Sequence, residues 1–182
     1  MKRYLLIHLY GATIILAGVF LLFSHYTTFH VMKLALGTML TLGALLAIWA
    51  AFSRRRKQVQ FAYHEMHALT MLVYGISILL FGSNLEKVLN YTSFALMFYS
   101  LSEIIFCNWL FNLGEKIVYK ILAIRLILGL AIGIGTILAL DFSKHSLEIF
   151  GVLFVLIGFN ILLYVPVMKG IQSKNMSNEA SE

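Results

Sequence analysis

The sequence predicts an all-α integral membrane protein: six transmembrane helices forming three parallel helical-hairpin repeats, with both termini in the cytoplasm. Three observations carry that expectation. The chain of 182 residues is 60% hydrophobic and only 12% charged, where soluble domains hold about 45–50% and about 25%, and its mean hydropathy is +0.88. Six apolar stretches follow one another, each long enough to cross a hydrocarbon layer about 30 Å thick. The hairpins they form also align with one another in a single register.

The stretches run over 4–23, 31–52, 61–82, 91–112, 117–140 and 147–168. The first follows Met1-Lys2-Arg3 in the manner of a secretory signal. Tyr4–Phe23 is too long for a signal's apolar core, however, and Ser24-His25-Tyr26 lacks a small-x-small cleavage pattern. A retained first helix is expected. The turns Ser24–His30, Ser53–Gln60, Ser83–Asn90, Leu113–Lys116 and Asp141–Ser146 leave no room for a soluble domain. Turns this short make consecutive helices antiparallel neighbours. One transmembrane domain over 1–168 is expected, with hairpins 4–52, 61–112 and 117–168. The Ser/Asn/Glu-rich stretch 169–182 reads as a disordered cytoplasmic tail.

Charge placement sets the orientation. Lys2, Arg3, Arg54, Arg55, Arg56, Lys57, Lys116, Lys120, Lys169 and Lys174 fall on one side, against Lys33, Lys87 and Lys144 on the other. The more basic side is cytoplasmic. The net charge of +6 lies between apolar runs rather than on one interleaved face. It therefore reads as a set of topology signals, and no nucleic-acid partner is expected. The run Arg54–Lys57 is accounted for in the same way, ahead of a lipid-headgroup patch. The single cysteine, Cys107, excludes a disulfide framework within the chain and a Cys-rich metal site. GxxxxGK[ST], GxSxG, SxxK and CxxC patterns are absent. No enzyme activity, metal or other cofactor is expected. The bilayer is the expected partner, and a homo-oligomer is allowed but not indicated.

The hairpins align without gaps on Gly18, Gly75 and Gly133, spaced by 57 and 58 residues. In that register Gly43, Ser100 and Gly158 form a second small-residue column. Two aromatic columns accompany them: Tyr4, Phe61 and Tyr119, and Trp49, Phe106 and Tyr164. Aromatics near the cytoplasmic ends belong to the headgroup belt, and small residues let helix backbones approach in lipid. Gly18, Gly43, Gly75, Gly129, Gly133, Gly151 and Gly158 are therefore the expected packing positions, with the GxxxG pair Gly129 and Gly133 used inside the monomer.

On Leu72-Val73-Tyr74-Gly75-Ile76, Leu128-Gly129-Leu130-Ala131-Ile132-Gly133 and Phe150-Gly151-Val152-Leu153-Phe154-Val155-Leu156-Ile157-Gly158, the chain resembles the HdeD-like family of small bacterial membrane proteins. The resemblance covers Tyr4 to Met168. It implies three tandem two-helix units, a bacterial inner-membrane location and a role in envelope or acid-stress tolerance. It brings no catalytic residues.

Ionisable groups at bilayer depth are costly and mark candidate sites. Glu103 lies about 14 Å from the cytoplasmic end of its helix and Arg125 about 12 Å from the start of the next. An ion pair across that hairpin is expected. Ser93, Ser100, Glu103 and Cys107 share a stripe of the fourth helix, and Arg125, Gly129 and Thr136 share a face of the fifth. Ser100, Cys107 and Thr136 are thus candidates for a polar interior, either a self-satisfied network or the lining of a transport path. At the cytoplasmic mouth His8, His64, Glu65 and His67 are proton or metal candidates. They lack the spacing of a zinc-protease helix, and interfacial hydrogen bonding is the simpler account. Asn108, Asn112 and Asn160 are expected to bond across helices. The functional expectation is a non-enzymatic multi-pass protein supporting stress tolerance. Its competitor is small-solute or proton-coupled transport through Glu103 and Arg125.

Overall fold

The computed structural model describes residues 4–54, 62–112, 118–141 and 145–170. The basic run Arg55–Lys57, Phe61, Lys116, Lys144 and the tail from residue 171 lie outside the described residues, as do the side chains of Arg54, His64 and Glu65. Among the described residues the elements are six α-helices and one 3-10 turn. These are α1 Leu5–Leu22, the turn Ser24–Tyr26, α2 Phe29–Arg54, α3 Ala62–Phe81, α4 Leu85–Asn112, α5 Tyr119–Asp141 and α6 Ser146–Leu162. Five are long and apolar enough to cross a membrane, and α3 carries the shorter apolar run His67–Phe81.

Apolar sequence alone does not end a helix; local polar chemistry does. Asn84 accepts the Lys87 backbone N–H on Oδ1 at 2.9 Å. That caps α4 and starts it six residues ahead of the apolar stretch expected from 91. Pro166 has no N–H to give and its ring crowds the carbonyl four residues back. The helix accordingly stops at Leu162, turns at Leu163 and resumes over 164–170.

The burial pattern is inverted relative to a soluble bundle. Leu16, Leu42, Leu80, Phe94, Ile105 and Ile127 are more than half exposed, whereas His67, Glu103, Arg125, Thr136 and Asn160 are buried. Large apolar side chains cover the outside and polar ones are withdrawn, as a chain solvated by hydrocarbon requires.

Each helix packs on its chain neighbours, and α6 returns to α1, closing a ring. The α1–α6 and α2–α3 seams are the most extensive, and the α3–α4 seam is the least extensive between ring neighbours. Glycine makes the close seams. A Cβ on Gly18 would sit 2.6 Å from the Gly151 carbonyl oxygen, and one on Gly75 would sit 2.6 Å from Thr41 Oγ1 and 3.1 Å from the Gly37 oxygen. On α5, a Cβ on Gly133 would meet Ser100 Oγ at 2.5 Å. Gly18, Gly75 and Gly133 thus each face the even-numbered helix of a neighbouring hairpin.

Burial also tests the register. Tyr10, His67 and Arg125 are all buried, as are Ala17, Tyr74 and Ile132, and Leu21, Ile78 and Thr136. These odd-helix positions keep the spacing of 57 and 58. The even helices do not. Leu36, Thr92 and Phe150 are buried together, as are Leu40, Leu96 and Phe154, and Ala50, Phe106 and Tyr164. Their spacing is 56 and 58. Trp49 is thus out of step in burial with Phe106 and Tyr164, where Ala50 is in step, whereas Gly43 is buried like Ser100 and Gly158. Trp49 is 70% exposed, while Phe106 and Tyr164 are each 2% exposed and sit in the core. The turn between α1 and α2 is also longer than that between α3 and α4, six residues against three.

Candidate polar site inside the helix ring

The α4–α5 seam brings the two intramembrane charges together. Ser100 Oγ donates to the Gly129 carbonyl at 2.8 Å, and Gly133 leaves room for that serine. With the backbones that close, Glu103 meets Arg125 side-on, along the Nε–Nη2 edge of the guanidinium. Arg125 Nε donates to Glu103 Oε1 at 2.6 Å and Nη2 donates to Oε2 at 2.9 Å. Both side chains are only 4% exposed. This two-point geometry suits the planar guanidinium and is the strong form of the interaction. The Cys107 thiol, one turn further along α4, reaches Glu103 Oε1 at 3.5 Å.

Two rings cover the cation. The Arg125 Cζ atom lies 5.2 Å from the centroid of Phe106 and 5.3 Å from that of Tyr164. Both distances fall within the range of cation–π attraction, which strengthens on desolvation. The aromatic column expected near the headgroups thus supplies the walls of the ion pair.

One turn before Glu103, Tyr99 opens a second group. Asn160 Nδ2 donates to the Tyr99 hydroxyl at 2.8 Å. His67 packs on the Tyr99 ring edge-on at 4.4 Å, and the Tyr10 hydroxyl lies 3.3 Å from His67 Nδ1. Tyr99 is in electrostatic reach of Tyr10, Glu103 and Arg125. The residues therefore form one polar cluster contributed by α1, α3, α4, α5 and α6. Two buried polar atoms in it, Arg125 Nη1 and Asn160 Oδ1, have no hydrogen-bond partner among the described residues. Each is a polar atom that is costly to leave dry.

The other sequence candidates lie elsewhere. Thr136 donates to the Ile132 carbonyl of its own helix at 2.7 Å, about 16 Å along α5 from Arg125. His8 is exposed on α1 and does not join buried His67. Among the described residues no three His, Cys, Asp or Glu side chains are set to hold a metal ion. Asn160 bonds across helices, whereas Asn108 and Asn112 are exposed. Gly43 lies against the Tyr10 ring, with a built Cβ 3.2 Å away. Tyr10 and Tyr99 were not singled out from sequence. For Tyr10 a signal was present, since Tyr10, His67 and Arg125 are separated by 57 and 58 residues, as Gly18, Gly75 and Gly133 are; Tyr99 carried none.

Comparison with family models, curated proteins and solved structures returns no match to the chain. The arrangement itself is the guide to function. It is a neutralised ion pair walled by aromatic rings and joined to a Tyr–His–Tyr–Asn group.

Proposed function

We propose that this chain is a non-enzymatic multi-pass protein of the HdeD-like kind in a bacterial inner membrane, supporting tolerance of envelope or acid stress. In this reading three tandem hairpins close the ring, and both termini are cytoplasmic. The burial spacing of the odd helices supports the repeat, and the Lys/Arg distribution supports the orientation. The stress role rests on the resemblance stated above. The observation that carries the non-transporting half is the ion pair. Glu103 and Arg125 satisfy each other at two points, and Phe106 and Tyr164 cover the guanidinium. Charges engaged in this way hold helices together rather than offering a carboxylate to a passing solute.

The test is survival of acid challenge by cells lacking the gene, complemented with the unsubstituted protein or with Glu103→Leu/Arg125→Met, which keeps the bundle packed without the pair. Rescue by both supports a structural pair in a stress protein. Failure of the unsubstituted protein to restore survival removes the stress assignment.

A second reading is favoured by Arg125 Nη1 and Asn160 Oδ1, which have bonding capacity to spare. It is proton-coupled or small-solute transport through the same cluster. Proton flux into proteoliposomes that disappears in a folded Glu103→Gln variant would establish it in place of the first.

A further inference from the structure

We propose that the groove along the outer face of the α3–α4 seam binds one membrane phospholipid. An acyl chain lies between the two helices, an ester carbonyl accepts from the Ser77 and Tyr91 hydroxyls, and the phosphate sits beside Lys87. This goes beyond the reading above and needs from it only that hydrocarbon surrounds the ring.

The groove follows from how this seam is packed. Between α1 and α6, and between α2 and α3, glycine lies against glycine and the backbones close. Between α3 and α4 the glycine contact lies at the turn, Gly82 against Val88, and this seam is the least extensive between ring neighbours. Farther along, larger side chains hold the helices apart and leave 330 Å³ lined by Leu69, Val73, Ser77, Tyr91, Phe94 and Phe98. That volume lies at the lower end of small-molecule sites, about 300–1,000 Å³. Leu69, Val73, Phe94 and Phe98 are each more than half exposed, so the mouth opens on the outer wall of the ring. Behind it the seam is tied. The Tyr74 hydroxyl meets Thr92 Oγ1 at 2.5 Å, and Thr92 donates to the Val88 carbonyl at 2.6 Å. From Leu69 to Ser77 the groove runs for about 12 Å along α3, enough for a straight segment of an acyl chain.

Apolar walls alone would not select an occupant, because lipid tails already solvate them. The polar groups do. Thr13, Thr38, Thr41, Ser93 and Ser102 each donate to the carbonyl four residues back, the usual way for a hydroxyl to be satisfied on a helix. Ser77 does not, and neither it nor the Tyr91 hydroxyl has a hydrogen-bond partner among the described residues. Both lie towards the α3–α4 turn, Ser77 about 6 Å along α3 from its end at Phe81. Hydroxyls at that depth are costly without an acceptor, and the ester carbonyls of a phospholipid lie just below its phosphate. Lys87 supplies the complementary charge. It is exposed, has no ion pair among the described residues, and stands one turn beyond Tyr91 on α4. Lys87, Tyr91, Phe94 and Phe98, spaced by four, three and four, form one stripe of that helix. Glu86, the nearest carboxylate in sequence, points about 100° away from the stripe. Cation, hydroxyls and apolar walls thus succeed one another from the turn inward, in the order of phosphate, ester and acyl chain.

The test is native mass spectrometry of the full chain, released from micelles titrated with phosphatidylglycerol or with phosphatidylcholine of the same chains. One saturable lipid equivalent is expected. It should be held about fivefold more tightly when the headgroup carries a net negative charge, the factor that one basic residue near the surface supplies. Val73→Trp, which fills the groove from an exposed position, should remove that equivalent, whereas Ile127→Trp on the exposed wall of α5 should keep it. Lys87→Gln should erase the headgroup preference. Retention unchanged in Val73→Trp, or a preference that survives Lys87→Gln, overturns the proposal. If Val73→Trp fails to fold, crosslinking of the unsubstituted chain by a phospholipid with a diazirine in its acyl chain decides. Labels concentrated in 69–77 and 91–98 support the site, and labels spread over all the exposed helix faces refute it. Labelling of the groove by a diazirine fatty acid and not by the phospholipid refutes it as well.

Discussion

Removing one partner of the Glu103–Arg125 pair should damage the bundle far more than removing both. The two hydrogen bonds of 2.6 and 2.9 Å involve full charges, and such bonds contribute about 1.5–3 kcal/mol each. The flanking rings of Phe106 and Tyr164 add about 0.5–2 kcal/mol of cation–π attraction apiece. Against this stands the desolvation of two ions, so the net worth of the pair is small although the cost of breaking it is large. Glu103→Leu alone leaves a guanidinium buried without its counter-ion, and about 3–5 kcal/mol of stability should be lost. Arg125→Met alone should cost somewhat less, because an isolated carboxyl can take up a proton and become neutral. The double variant places a methionine thioether between two aromatic rings, a favourable contact. It should fall within about 1 kcal/mol of the parent, giving a coupling energy of about 3 kcal/mol or more. The assay is reversible unfolding in mixed micelles, titrated with a denaturing detergent and followed by circular dichroism. Two single variants each costing under about 1 kcal/mol, with additive effects in the double, would refute the assignment of this pair as the tie between α4 and α5.

Two further comparisons use the same titration. Gly18→Ala should cost about 1–3 kcal/mol by overpacking, because its Cβ would meet backbone atoms of Gly151 and Val155 at 2.6 and 2.7 Å. Gly43→Ala, whose nearest neighbours are Tyr10 ring atoms at 3.2 and 3.4 Å, should stay within about 0.5 kcal/mol. Phe106→Ala should cost about 3–5 kcal/mol as a buried aromatic, whereas Trp49→Ala, at a 70% exposed position, should cost under about 1 kcal/mol. Equal losses at Trp49 and Phe106 would restore the gap-free register.

The fold was legible because hydrocarbon leaves so few options. Runs of about twenty apolar residues must be helices there, and short turns order them around the bundle. The partnership of Glu103 with Arg125 was legible for a related reason. Two opposite charges at matching depth on consecutive helices have few other places to go. Helix ends were less so, since Asn84 acts by making a single hydrogen bond and Pro166 by lacking one, and hydropathy weighs neither. Trp49 faces outward where Phe106 faces inward because an offset of one residue turns a side chain by about 100° around its helix. Aromatic identity gave no warning, since Trp49 suits an outer wall as well as Phe106 suits a core. Tyr10 and Tyr99 were passed over because tyrosine is at home in membranes for reasons unconnected with a site. Their hydroxyls gain meaning only once His67 and Asn160 are seen beside them.

The α1–α6 seam sets an order of events during biosynthesis. Gly11 and Gly18 on α1 press against Gly158 and Gly151 on α6, so helices about 140 residues apart in the chain share the most extensive seam of the ring. Contacts so distant in sequence form late, after the intervening loop has been closed. From the moment α1 leaves the ribosome until α6 follows, its glycine face stays bare in the bilayer and open to any other small-residue surface nearby. A chain halted within α6 would present that same uncovered face to the quality-control proteases of the membrane.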